Sequence, residues 1–337
     1  MSGHDEREDH EAAGLGPGGE GEGPGTSPQD RASAGDPEEQ REGPGGEAPG
    51  LPGEPDAPVA FPRQTPLYHA QHAERYARQE LIRAYEERFG CRLIVMIDAI
   101  FPFSVTLLEE LIAGADPAED LHLILDSPGG DGETAVRLVR SAQARCRELV
   151  VIVPNQAKSA GTILAIGAHR ILMGPTSDLG PVDPQFQSPS GPGLYSAKDL
   201  IAAVENADAA IAANPDSYPL HVSLLADVTA VMVQQARSAL ERTDDLVREA
   251  LKSHPGRSGE EVERIAQALK EKLIDLPRDH GAVFDASDAR DAGLPIEEAD
   301  PDSEQWRIVW LLWTKYFHLQ ARVYEGRLAS QVFDFSS

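Results

Sequence analysis

Two short stretches carry residue types suited to acyl-transfer chemistry. The first is Asp126-Ser127-Pro128-Gly129-Gly130-Asp131-Gly132, and the second is Asn155-Gln156-Ala157-Lys158-Ser159-Ala160-Gly161-Thr162. Each follows a short apolar run, 121–125 in one case and 149–153 in the other, and each precedes a segment with helical periodicity. Consecutive glycines let backbone N–H groups turn toward a ligand. A serine at a strand-to-helix turn is a hydroxyl held beside N–H groups that have no partner within the helix. Donors facing a hydroxyl are the minimal equipment for attack on a carbonyl and for holding the oxyanion that forms. Each feature also has a plainer reading. Ser159 fits an ordinary helix N-cap, and Gly129-Gly130 fits a tight turn. A phosphate site is disfavoured: no Lys-Ser or Lys-Thr follows the glycines at P-loop spacing, and neither loop carries GxGxxG.

To present both loops at one edge, the apolar runs must be neighbouring parallel strands. The pattern predicts strands over 92–98, 122–125, 150–153 and 170–173, alternating with helices over 65–89, 104–113, 132–145 and 160–168. Gly90 suits a helix C-cap and Ser104 an N-cap. The strand runs are apolar throughout, as expected where helices cover both faces, and the crossovers are right-handed. Beyond a Pro-, Gly- and Ser-rich stretch over 174–193, helices are expected over 198–213, 220–251 (one helix, or two broken near Asp244) and 260–273, the last capped by Ser258 or Gly259. A short helix is expected within 284–292. A terminal helix over 303–327 carries Trp306, Trp310, Trp313 and Phe317, an aromatic stripe suited to packing on the domain or another subunit, or to lying on a membrane surface.

The chain has 337 residues and a formal net charge of -26. Residues 1–60 hold 15 acidic and 3 basic residues together with 14 Gly and 9 Pro, so this stretch has too little apolar surface to offset its ordering entropy. The domain reading is therefore a disordered acidic tail over 1–64 and one α/β domain over 65–330. No basic face is evident, which argues against nucleic acid or anionic lipid as a main partner. Cys91 and Cys146 match no metal or redox spacing, and no hydrophobic leader follows Met1. A cytoplasmic protein with no metal and no cofactor is expected. Asp126 and Asp131 flank the glycines but lack a third and fourth metal ligand.

Taken together, the D-S-P-G-G strand end and the K-S-A-G-T strand end some thirty residues later resemble the Clp protease/crotonase superfamily. Within it they resemble the serine peptidase branch rather than the coenzyme A branch. The stretch Met173-Gly174-Pro175-Thr176-Ser177-Asp178-Leu179-Gly180-Pro181-Val182-Asp183-Pro184-Gln185 is similar to the serine dehydrogenase proteinase family, relatives of signal peptide peptidase A. The resemblance spans roughly 91–297. It implies a Clp/crotonase-like α/β fold, with repeated β-β-α/βαβ units, a largely parallel sheet and an outer helical layer. It implies a homo-oligomer acting on a peptide or protein substrate, with Ser159 as nucleophile and Gly129 or Gly130, with the Ala160 N–H, as oxyanion hole.

For the general base, the resemblance to signal peptide peptidase A relatives points to a lysine downstream. Lys198 is the only lysine between Ser159 and Lys252, and its plainer reading is a surface lysine opening a helix. Supporting roles fall to Asp183, which would orient a base or cap a turn, and to His280, as a second candidate base or a structural hydrogen-bonding group. Lys158, next to the nucleophile in sequence, is expected to point away from it. The leading expectation is a serine endopeptidase of Ser-Lys type. The alternative is a catalytically degenerate oligomeric scaffold or peptide-binding module of the same fold.

Overall fold

Strands with no polar face require a layer of helices on each side, and that requirement organises the molecule. The computed structural model describes residues 65–187, 193–277 and 281–334. The chain opens with Pro66–Gln71 (α1), capped by the Thr65 hydroxyl, and Ala73–Phe89 (α2), which ends at Gly90 in the left-handed conformation with φ 61°. Cys91–Ile97 (β1), Ser104–Leu111 (α3), Asp120–Asp126 (β2), Gly132–Gln143 (α4) and Leu149–Val153 (β3) follow. The minor strand Gln156–Ala157 (β4), then Ala160–Ile166 (α5), Arg170–Met173 (β5) and the short strand Asp178–Leu179 (β6) complete the region of the two loops.

β1, β2, β3 and β5 pair in parallel, with Ile97 opposite Asp126 and Ile124 opposite Ile152. Their side chains alternate between two cores. Ile94, Met96, Leu123, Leu125, Val151 and Val153 meet α4 and α5, whereas Leu93, Val95, Ile124, Val150 and Ile152 meet the opposite layer, where Ile82 and Tyr85 of α2 lie. This two-sided burial is why the runs read as continuously apolar.

The distal part of the chain supplies the outer helices. Gln185–Gln187 (β7) and Leu194–Ser196 (β8) form an antiparallel pair, and Ala197–Ala213 (α6) follows directly. The helix expected over 220–251 is two helices, Tyr218–Leu224 (α7) and Ala230–Ser253 (α8), but the break lies at 225–229 rather than near Asp244. The Thr229 hydroxyl accepts from Met232 N and starts the second helix, while Asp244 sits mid-helix in an i,i+4 ion pair with Arg248 at 2.6 Å. Gly259–Leu269 (α9), capped by Ser258, runs into a π-helical turn, Lys270–Asp275. Ala286–Asp291 (α10) leads to Ile296–Glu298 (β9), which extends the sheet in parallel beside β5.

Two further expectations are corrected. Ser104 is not the N-cap of α3; Phe103 occupies that position. The Ser104 hydroxyl instead accepts from Phe101 N at 3.1 Å and bonds Tyr324 Oη at 2.8 Å, fully buried. The terminal helix expected over 303–327 stops early, as Glu304–Leu319 (α11), where Gln320 turns left-handed with φ 50°. Ala321–Gly326 (β10) then pairs antiparallel with β1, and Ser330–Asp334 (β11) pairs with β10, giving the order β11-β10-β1-β2-β3-β5-β9. Glu325 misleads a sequence reading because it is a charge within a strand. It is fully buried, satisfied by Arg78 at 2.7 Å and by the Tyr316 hydroxyl at 2.8 Å. The aromatic stripe of α11 divides: Trp306 and Trp313 pack on the sheet, while Trp310 and Phe317 are exposed. Among the described residues, no helix is long and apolar enough to cross a membrane.

Candidate active site

The carboxyl ends of β2 and β3 deliver the two loops to one place, as their parallel pairing requires. Backbone bonds then lock them together: Ser127 N donates to Gln156 O at 3.1 Å, and Lys158 N donates to Ser127 O at 2.9 Å. Ser127 is wholly buried, and its hydroxyl accepts from Gly129 N at 3.2 Å. Gly129 and Gly130 adopt φ of 120° and 133°, values that only glycine takes without strain. Close approach excludes a side chain as well. A Cβ on Gly129 would lie 2.7 Å from the Ser159 Cβ, and one on Gly130 would lie 2.2 Å from Ile100 O.

Ser159 sits at φ 49° and ψ −114°, one of two non-glycine residues with positive φ among those described. Such a conformation costs on the order of 1–3 kcal/mol and persists only where the surroundings dictate it. The Ser159 N–H donates to Pro181 O at 3.1 Å, and its side chain makes no capping hydrogen bond. The N-cap reading of this serine therefore does not describe what its hydroxyl does. The Ala160 and Gly130 N–H groups donate to no acceptor among the described residues. Both residues line, with Ser159, a recess of about 430 Å³. Its other walls come from Pro128, Gly132, Ile163, Val182, Asp183, Pro184, Gln185, Leu194, Thr243 and Leu246.

The segment 178–182 backs the serine. Thr162 is buried, and its hydroxyl lies between two carbonyls, Ala157 O at 2.7 Å and Gly180 O at 2.9 Å. Lys158 turns its stem along Gly180 and donates to Asp178 Oδ2 at 2.5 Å and Ala282 O at 3.3 Å. Its charge is thus engaged by that segment, as expected for a side chain directed away from the serine. Asp126, at the end of β2, is pushed up to about 6 by burial, against the opposing effect of the Asn155 side chain and the Gln156 N–H.

The remaining expected residues are distributed unequally. Asp183 is buried and lines the recess. Lys198 opens α6 and is not among the residues lining the recess; its Nζ donates to Ile274 O at 3.0 Å and to Pro277 O. His280 lies outside the described residues. Among the described residues, no group of three or more His, Cys, Asp or Glu is arranged to hold a metal ion. Thr243 and Leu246 were not anticipated, because a wall contributed by a helix eighty residues downstream leaves no local signal at Ser159.

A model of ClpP-like SDH-type serine proteinases matches residues 64–311. The chain belongs to this family. An uncharacterised protein of Methanocaldococcus jannaschii is 28% identical over 240 residues, covering 67% of this chain and 75% of that protein. A second uncharacterised protein of the same organism is 26% identical over 238 residues, covering 66% and 73%. A membrane-bound protease of Pyrococcus horikoshii is 36% identical over 76 residues, which are 22% of this chain and 17% of that protein. Among solved structures, a serine-to-alanine mutant of a membrane-bound stomatin-specific protease aligns at 24% identity over 32% of this chain and 57% of that one, with a TM-score of 0.28. Family membership and the largely parallel seven-stranded sheet agree with the ClpP-like fold.

Proposed function

We propose that this family member is an active serine endopeptidase. Ser159 attacks the carbonyl carbon of a peptide bond, the Gly130 and Ala160 N–H groups hold the oxyanion, and Lys198 takes the serine proton as general base. Of the two glycines, Gly130 is the better donor, because the Gly129 N–H is already given to the Ser127 hydroxyl. The observation that carries the reading is a strained serine with an uncapped hydroxyl, sharing one recess with two N–H groups that lack acceptors among the described residues. Removing one such donor from an acyl-transfer site costs roughly 3–4 kcal/mol of barrier, so paired donors are a strong inducement to this chemistry. In this reading the carbonyls of Ile274 and Pro277 hold the Lys198 amine while the enzyme rests, and the neutral amine, with its lone pair free to take the serine proton, reaches the serine when substrate fills the recess. The substrate is a peptide or protein segment, the working form is a homo-oligomer, and no cofactor takes part.

The test is labelling of the full chain by a fluorophosphonate, with Ser159→Ala and Lys198→Ala as comparisons. Labelling of wild type that both variants lose supports the whole reading. Equal labelling of Ser159→Ala removes the nucleophile assignment. A second reading has one observation in its favour: the Lys198 amine is occupied by two carbonyls and lines no part of the recess. The fold would then serve as a peptide-binding scaffold that has lost its base. Binding of extended peptides without cleavage, unchanged in Lys198→Ala, would establish that alternative.

A further inference from the structure

The recess beside Ser159 has an inner wall that belongs to neither loop. Leu246 and Thr243 of α8 form it, both almost fully buried. Opposite them is Gly132, the first residue of α4. A Cβ on Gly132 would lie 2.9 Å from Leu246 Cδ1 and 3.3 Å from Ile163 Cδ1. Leu246 therefore occupies the space that a side chain at 132 would take, and the depth of the recess follows from that packing. The position of α8 is fixed by residues adjoining both partners. Arg242, next to Thr243, forks onto Glu133, next to Gly132, with Nε–Oε1 at 2.6 Å and Nη2–Oε2 at 2.7 Å. Arg242 also reaches Glu249 at 2.7 Å, and Glu249 reaches back to Arg140 of α4 at 3.0 Å. Exposed pairs of this kind add little stability, but a bidentate fork fixes geometry.

We propose that Leu246, packed over Gly132, sets the size limit of the subsite for the side chain immediately N-terminal to the scissile bond, so that the substrates are peptides with an aliphatic residue of valine or leucine size there and not an aromatic one. This rests on the peptidase reading above. The side chain in question leaves the Cα bonded to the attacked carbon, and that carbon must sit between Ser159 and the two free N–H groups. The recess that contains those three groups is thus where that side chain goes, and it stays there through acylation and hydrolysis. Ile163, Val182 and Leu246 give it apolar walls. Leu246, held against Gly132, closes this apolar end of the recess, and that side chain is what keeps a ring out.

The experiment is cleavage of matched peptides with Ala, Val, Leu or Phe at that position, read as kcat/KM, by the full chain and two variants. Leu246→Ala deepens the recess and raises the Phe-to-Val ratio by about 10-fold or more, the discrimination expected of a few methylene groups in an apolar pocket. Gly132→Ala pushes Leu246 and Ile163 inward and moves preference the other way, toward Ala. Because the second variant removes no core atoms, it keeps the test decisive if Leu246→Ala unfolds on thermal denaturation. An unchanged ranking in both folded variants overturns the inference while leaving the nucleophile assignment intact. Absence of both cleavage and fluorophosphonate labelling in wild type overturns the peptidase reading, and the inference with it.

Discussion

Replacing Gly130 by alanine separates two consequences of one backbone position. At φ 133° an alanine is strained, and its Cβ would meet Ile100 O at 2.2 Å and Ile100 N at 2.8 Å. Those atoms cannot step aside, since Ile100 N donates to Gly129 O at 2.7 Å and Ile100 O accepts from Asp131 N at 2.8 Å. The loop itself must move, and the Gly130 N–H moves with it. The strain lowers stability by about 1–3 kcal/mol. Loss of one oxyanion donor lowers the rate of attack by about 10²–10³. The assay is the second-order rate of Ser159 labelling by a fluorophosphonate, measured beside a thermal melt. Gly90→Ala is the control: Gly90 also has positive φ, 61°, but a Cβ there meets nothing within 4 Å, and it caps a helix rather than lining the recess. It should lower the melting temperature slightly and leave the labelling rate alone. A folded Gly130→Ala protein labelled at the wild-type rate would refute the assignment of Gly130 as a donor.

Three other substitutions probe the scaffold. Glu325→Ala leaves the buried Arg78 guanidinium without its carboxylate and should cost about 3–5 kcal/mol, read by urea denaturation. Asp178→Asn breaks the partly buried pair with Lys158, and the expected outcome is slower labelling of Ser159 with a modest loss of melting temperature; an unchanged rate would mean that the 178–182 segment does not need this tie. Burial, with Arg170 contributing, holds His122 down at about 4 from its ordinary 6.5, so the folded state keeps it neutral as acceptor or donor to the Tyr85 hydroxyl at 2.7 Å. The unfolded chain takes up that proton first, so stability is intact above about pH 6.5 and falls as the pH drops toward 4, by no more than about 3 kcal/mol. Asp126, raised to about 6, acts with the opposite sign over about pH 4 to 6, because there the folded state holds the extra proton. The His122→Gln protein should lack the His122 part of the slope in denaturation midpoints measured between pH 7.5 and 4.5.

What a sequence discloses about this molecule depends on the range of the interaction. The four parallel strands were legible because each side chain in them is buried on one face or the other, a condition that writes itself into 92–98 and 150–153 without reference to anything distant. The loop pair was legible because Gly129, Gly130, Ser159 and Gly161 answer backbone demands set within a few residues. β10 and β11 were hidden by Glu325, whose burial makes sense only with Arg78, some 250 positions away in the chain. The end of α11 was hidden because Gln320 takes a left-handed turn more often left to glycine or asparagine. The proposed base, Lys198, is the least legible element of the candidate site. A proton acceptor needs only to arrive within reach of the serine, and it can do so from any helix, so spacing in the chain constrains it weakly.

The K-S-A-G-T run explains itself once each side chain is placed. Positive φ at Ser159 must be held from outside, and the neighbouring residues do the holding. Lys158 packs its stem where a side chain on Gly180 would stand and fixes its ammonium on Asp178. Gly161 lets the turn approach Ser127, where a Cβ would come within 3.1 Å of the Ser127 Cβ, and its N–H closes on Lys158 O at 2.7 Å. Thr162 joins β4 to the 178–182 segment through a single hydroxyl that donates to Ala157 O at 2.7 Å and accepts from Gly180 N at 3.1 Å, and that segment returns a carbonyl, Pro181 O, to the Ser159 N–H. Every one of these contacts uses the residues around the serine and none uses its hydroxyl. Thr65, Thr229, Ser258 and Ser303 spend their hydroxyls on caps in this same chain, and although Ser196 and Ser217 also start helices without capping them, among the described residues Ser159 alone joins an uncapped hydroxyl to a positive φ and a place on the recess. That contrast within one molecule is the physical ground for reading Ser159 as a group kept for a ligand.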